Sequence, residues 1–127
     1  MRYTPEHINH LAPNEIFVFG SNLAGIHGAG AARLAFDRFG AVWGIGIGHQ
    51  GKSYALPTKD KDIETLPLSE INNYVVDFLE YAKKHPEFTF LVTKIGCGLA
   101  GWNVEDIAPC FGGDTPANVV LPREFYK

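Results

Sequence analysis

The residues in this chain that most suggest chemistry are its glycines. They gather at 20–30, 40–51 and 96–101, with a further pair at Gly112 and Gly113. A glycine loop lets the backbone approach a phosphate closely, and free N–H groups at a following helix N-terminus bind the anion. The first cluster, Gly20-Ser21-Asn22-Leu23-Ala24-Gly25-Ile26-His27-Gly28-Ala29-Gly30-Ala31, follows a strand-like stretch and opens a helix-like one. The third, Gly96-Cys97-Gly98-Leu99-Ala100-Gly101, follows another strand-like stretch. In open α/β sheets ligands bind beyond the carboxyl ends of the strands. One such cluster alone would be read as tight turns; two on matching strand ends point to a phosphate-bearing ligand.

The middle cluster is read differently. Gly46-Ile47-Gly48-His49-Gln50-Gly51-Lys52-Ser53 satisfies the P-loop pattern, and Gly46, Gly48 and Gly51 satisfy the dinucleotide fingerprint. Both patterns need a helix directly after the glycines, whereas Tyr54-Ala55-Leu56-Pro57 reads as a strand ended by proline. A P-loop enzyme also wants an acidic residue closing a second strand to hold magnesium, and here that strand runs into Thr93-Lys94. The segment is predicted to be a hairpin turn, which leaves a P-loop-type nucleotidase as a distant alternative.

Among single side chains, His27 lies inside the first glycine loop, where its ring is expected to face a ligand, and imidazole suits general acid or base work. Lys59 falls in the charged loop Pro57–Asp62; a lysine acts as a nucleophile when burial or a nearby cation holds it neutral. Cys97, flanked by glycines, is expected to fit a small side chain under its loop, and Trp102 to pack beneath it. His7, His10, His49 and His85 share no metal-ligand spacing, and Cys97 and Cys110 form no zinc pair, so no metal and no cofactor are expected.

The elements that must position these residues follow from periodicity. Glu15–Gly20, Ala41–Ile47, Ser53–Leu56, Phe88–Thr93 and Asn118–Leu121 read as strands, with a turn at Gly48–Gly51. Ala29–Phe39 reads as a helix stopped by Gly40, and Asn103–Cys110 as a short one. Ser69–Lys84 is the clearest helix, with Ile71, Tyr74, Val75, Phe78, Leu79 and Ala82 on one face. Strands alternating with helices predict one α/β sheet covered on both faces. The 127 residues, 46% hydrophobic and 20% charged, fit one soluble domain spanning 1–127. A net charge of −3 argues against nucleic acid as a main partner. No stretch approaches the roughly 20 apolar residues of a membrane span, and Met1–Glu6 has no apolar leader, so the cytoplasm is expected and a membrane partner is not.

On these elements, Thr93-Lys94-Ile95-Gly96-Cys97-Gly98-Leu99-Ala100-Gly101-Trp102 resembles the second phosphate-binding loop of macrodomains, the ADP-ribose-binding superfamily. The resemblance is to the branch that includes the terminal ADP-ribose protein glycohydrolase, where an Ile-Gly-Cys-Gly-Leu run followed by tryptophan is characteristic. The first cluster is similar to the macrodomain loop that runs from strand to helix, and the order of elements matches over nearly the whole chain. The acidic adenine-binding residue and N-terminal strand usual in macrodomains are not evident. The resemblance implies a three-layer α/β/α fold with a mixed central sheet that binds ADP-ribose. The diphosphate would be held by Ser21, Asn22, Gly28, Ala29 and Gly30 on one side, and by Gly96, Cys97, Gly98, Leu99, Ala100 and Gly101 on the other. The adenine would lie near Leu121 and Pro122, and the distal ribose would reach Asn22. In that branch a lysine after the central strand attacks C1″ and an aspartate after Gly-Cys-Gly-Leu assists. Lys59 stands at the lysine position, and Ala100 at the aspartate position. With Lys59, His27 and Asn22 as catalytic candidates, the implied activity is hydrolysis at the distal ribose of an ADP-ribosylated protein or of ADP-ribose 1″-phosphate. Ala100 makes non-catalytic ADP-ribose binding the alternative.

Overall fold

The computed structural model describes residues 2–97, 101–112 and 115–126. They form an α/β protein around a five-stranded mixed sheet in the order β2-β3-β1-β4-β5. The strands are β1 (Glu15–Asn22), β2 (Gly48–Gln50), β3 (Ser53–Lys59), β4 (Thr89–Val92) and β5 (Val119–Val120). β1 pairs in parallel with both β3 and β4, β4 in parallel with β5, and only β2 is antiparallel, to β3.

Alternation along β1 divides the core. Ile16 and Val18 point to one face, where α2 (Leu68–Lys83) buries Ile71, Val75, Phe78 and Ala82. Phe17 and Phe19 point to the other, under Ala32 and Ala35 of α1 (Gly30–Arg38). Phe78 meets Phe90 edge to face at 5.5 Å between ring centroids. The Asn118 amide donates to the carbonyls of Ala82, His85 and Phe88, which ties the end of α2 to the start of β5. The short α3 (Val104–Ile107) carries an Asn103–Asp106 capping box. It passes into a 3-10 turn at Ala108–Phe111, where Pro109 has no N–H with which to continue an α-helix. Among the described residues no helix is long and apolar enough to cross a membrane.

One predicted element is corrected. Ala41–Ile47 is not a strand; the strand lies at Gly48–Gln50, where a turn was expected, and the hairpin turns at Gly51 and Lys52. The β-branched and aromatic residues of 41–47 imitate a strand, yet Gly44 has a left-handed φ of 93°. Their backbone groups bond to the turn after β1 instead of a neighbouring strand: Gly44 N–H donates to Gly25 O at 2.9 Å, and the Ser21 hydroxyl donates to Gly46 O. Val42, Trp43, Ile45 and Ile47 are consequently exposed. The segment 46–53 is the expected hairpin rather than a P-loop, since β3 and not a helix follows it.

Truncating Phe78, which is 0% exposed, to alanine is expected to lower stability by about 3–5 kcal/mol through lost burial and the cavity left behind. Denaturant unfolding of the variant beside the parent checks this.

Candidate functional site

The parallel pairing brings three strand ends together. Asn22 at the end of β1 is in register with Lys59 at the end of β3, and Val18 with Val92 at the end of β4. Beyond them opens a cleft of about 310 Å³, walled by Ser21, Asn22, Ile26, residues 28–32, Thr58, Lys59 and residues 93–97. It thus gathers both glycine clusters singled out in the sequence.

Donors line this cleft. Helix α1 begins at Gly30 with Ala29 at its N-cap, and no side chain caps it. Among the described residues the amides of Gly28, Ala29, Gly30, Ala31 and Ala32 donate to no carbonyl. A helix N-terminus in this state carries about half a positive charge and unpaired N–H groups. Gly96 has a φ of 74°, and a Cβ on it would sit 2.7 Å from Ile107 Cδ1, so only glycine fits here above α3. Lys59 and Lys94 line the cleft, and among the described residues no carboxylate does. Lys94 is held by Glu124 at 2.7 Å and Glu6 at 3.8 Å; the hydrogen bond to Glu124 raises its pKa.

Two candidate catalytic side chains are already engaged. The Asn22 carboxamide closes its own turn: Oδ1 accepts from Ile26 N–H at 2.9 Å and Nδ2 donates to Ile26 O at 2.8 Å. It shapes the loop while still lining the cleft, where a ligand was expected to meet it. His27, by contrast, does not face the cleft. Its ring is 0% exposed, set edge-on to Phe19, with Nε2–H donating to Val42 O at 2.9 Å and Ile45 O at 3.1 Å. Its Nδ1 is buried without a partner. The turn folds inward at His27 because the loop 42–45 offers two carbonyls there, so His27 holds the site from behind. Lys59 remains the expected nucleophile candidate that lines the cleft.

The remaining candidates divide. Ser21, Gly28, Ala29, Gly30, Gly96 and Cys97 line the cleft as expected. Cys97 is half-buried, and desolvation pushes its thiol pKa up, which disfavours the thiolate. Gly101 is exposed and lies outside the cleft lining, while Trp102 packs into the core and donates from its indole to Leu66 O at 3.1 Å. Leu121 does not line this cleft: it is buried and lines another cavity, of about 840 Å³, with Phe111 and Phe125. Its neighbour Pro122 lines a third cavity, of about 480 Å³, with Tyr3 and Glu6. That cavity shares Thr93 and Lys94 with the cleft, so the two adjoin. Gly98, Leu99 and Ala100 lie outside the described residues.

Sequence reasoning did not assign to the site several residues that line the cleft, among them Ile26, Thr58, Ile63 and Lys94. The place of Thr58 and Lys94 at strand ends was a usable signal. Ile63 gave none: its φ of 64° is a left-handed conformation that a β-branched residue adopts at about 1–2 kcal/mol. Among the described residues no group of His, Cys, Asp and Glu could hold a metal ion. Comparison with protein-family models, curated proteins and solved structures gives no match.

The buttress behind the site has its own test. A Cβ on Gly46 would lie 2.0 Å from Asn22 O. Gly46→Ala is therefore expected to lose about 2 kcal/mol or more of stability. In calorimetric melts the opposite result, an unchanged transition, would mean that the two loops do not touch.

Proposed function

We propose that this chain is a macrodomain-like protein of three α/β/α layers that binds ADP-ribose or a closely related ADP-ribosyl nucleotide in the cleft beyond β1, β3 and β4. One observation carries the reading. A chain of net charge −3 keeps carboxylates out of the described cleft lining and presents there an uncapped helix N-terminus, glycine backbone and two lysines. Neutral N–H donors with a positive field suit a diphosphate. In this reading the diphosphate lies between Gly28–Gly30 and Gly96–Cys97, and the distal ribose extends towards Lys59. The base crosses Thr93 and Lys94 into the adjoining cavity beside Pro122. Glu6 and Glu124, which line that cavity, are acceptors for an exocyclic amine. In this reading the chain works in the cytoplasm, a reducing compartment that suits its free thiols Cys97 and Cys110.

Hydrolysis at the distal ribose is a second reading, favoured by Lys59 at the end of β3 within the cleft. Its neutral amine would form a bond to C1″ as the bond to the modified side chain breaks, and the leaving side chain would take up the amine's proton. Water would then displace the lysine from C1″ to release ADP-ribose. Against turnover stands the engagement of Asn22 and His27, which leaves no imidazole or carboxylate beside Lys59 among the described lining residues. Binding without turnover is accordingly the better supported of the two.

ADP-ribose is expected to bind at least about tenfold more tightly than ATP, or about 1.4 kcal/mol, because among the described lining residues no carboxylate is placed to hold the magnesium of a triphosphate. Titration calorimetry decides this, and equal or tighter ATP binding contradicts the reading. Should the chain turn over ADP-ribosylated protein, Lys59→Ala is expected to abolish product formation. It should change ADP-ribose affinity by less than about fivefold, since one solvated charge contributes under about 1 kcal/mol.

A further inference from the structure

Among the described residues Ile63 is the one non-glycine with a left-handed backbone, φ 64°. Nothing in the turn requires isoleucine there. Asp60 holds the turn by itself: its carboxylate accepts from Asp62 N–H at 2.8 Å and Glu64 N–H at 3.0 Å, and its carbonyl accepts from Ile63 N–H at 3.1 Å. Glycine or asparagine would adopt that conformation with less strain. The chain instead carries a large aliphatic side chain in a strained backbone, and leaves it 41% exposed. Strain of this kind gathers where a ligand is held.

Ile63 also lines the cleft, four residues beyond Lys59. A second isoleucine does the same. Ile26 is 44% exposed in the cleft wall, with its amide and carbonyl both clamped by Asn22. The turns carrying the two are tied together, since Leu23 N–H donates to Lys59 O at 3.0 Å. The glycine loops offer small residues and N–H donors, whereas Ile26, Ile63 and Lys59 add two aliphatic side chains and one ammonium to the same lining. Aliphatic walls suit a neutral ring with a C–H face; a terminal phosphate placed there would lose water and gain few donors.

We propose that Ile26 and Ile63 form an apolar jaw at the Lys59 end of the cleft that receives the uncharged distal sugar of a nucleoside diphosphate sugar. Ile63 is then a specificity-determining residue for sugar-bearing ligands over the bare diphosphate. This rests on the proposed function, because it assumes that the diphosphate lies on the glycine loops.

Calorimetric titration of the parent, Ile63→Gly and Ile63→Asn with ADP-ribose and with ADP tests the jaw. Both substitutions tolerate the left-handed backbone, and Ile63→Gly is expected to melt no lower than the parent. ADP-ribose affinity is expected to fall about tenfold in each variant while ADP affinity stays unchanged. An unchanged ratio of the two affinities overturns the jaw, whether both ligands weaken together or neither does. A parent that binds ADP yet gains nothing from the added ribose also overturns it. A parent that binds neither ligand overturns the proposed function and the jaw with it, so the two failures are told apart by the parent alone.

Discussion

The backbone of Gly46 lies against the carbonyl of Asn22 so closely that a Cβ there would sit 2.0 Å from the oxygen, and the rest of the site depends on this contact. A Cβ on Gly25 would likewise sit 2.3 Å from the Gly44 carbonyl carbon. Two irregular loops can approach this closely only where glycine stands at the contact. The loop 42–46 then becomes a rigid backing for the turn 22–28, fastened by Ser21, His27 and Gln50, whose side chains all bond to its backbone. Held from behind, the turn can leave the amides of Gly28–Ala32 unpaired in front. Polar side chains of types suited to chemistry serve this architecture instead: the Ser21 hydroxyl, the Asn22 carboxamide and the His27 ring all bond to nearby backbone.

Backbone donors also explain how an acidic chain can offer an anion site. A cradle of N–H groups at a helix start brings positive potential without excess positive side chains, and acts at short range where screening by salt is weak. The lysines add to the field. Lys94 in turn is restrained by Glu6 from the N-terminal segment and Glu124 from the C-terminal 3-10 turn. Both termini are thereby drawn to the ridge between the cleft and its adjoining cavity.

The legible parts of the sequence were those set by period and side-chain type. The strand from Glu15 and the helix around Ile71–Ala82 announced themselves through burial patterns that the structure keeps. The loop at 41–47 was misread because Val42, Trp43, Ile45 and Ile47 have strand-like chemistry, while their interleaved glycines answer to a partner loop some 20 residues away in sequence. No local rule reveals that. His27 and Asn22 had the right types for catalysis at the right place in the chain. Whether such a side chain faces a ligand or its own backbone depends on which carbonyls lie nearby, and periodicity does not encode it. The strain at Ile63 is likewise a property of the folded turn alone.

Backbone amides as the ligand-binding groups are the centre of this account, and amide chemical shifts report on them directly. In a two-dimensional 1H–15N titration with ADP-ribose, the account predicts the largest shifts at Gly28–Ala32 and at Gly96, residues of the cleft lining whose amides, among the described residues, donate to no carbonyl. Saturating ADP-ribose that leaves these amides unmoved, or shifts only residues around Phe111 and Leu121 in the separate cavity, would contradict it.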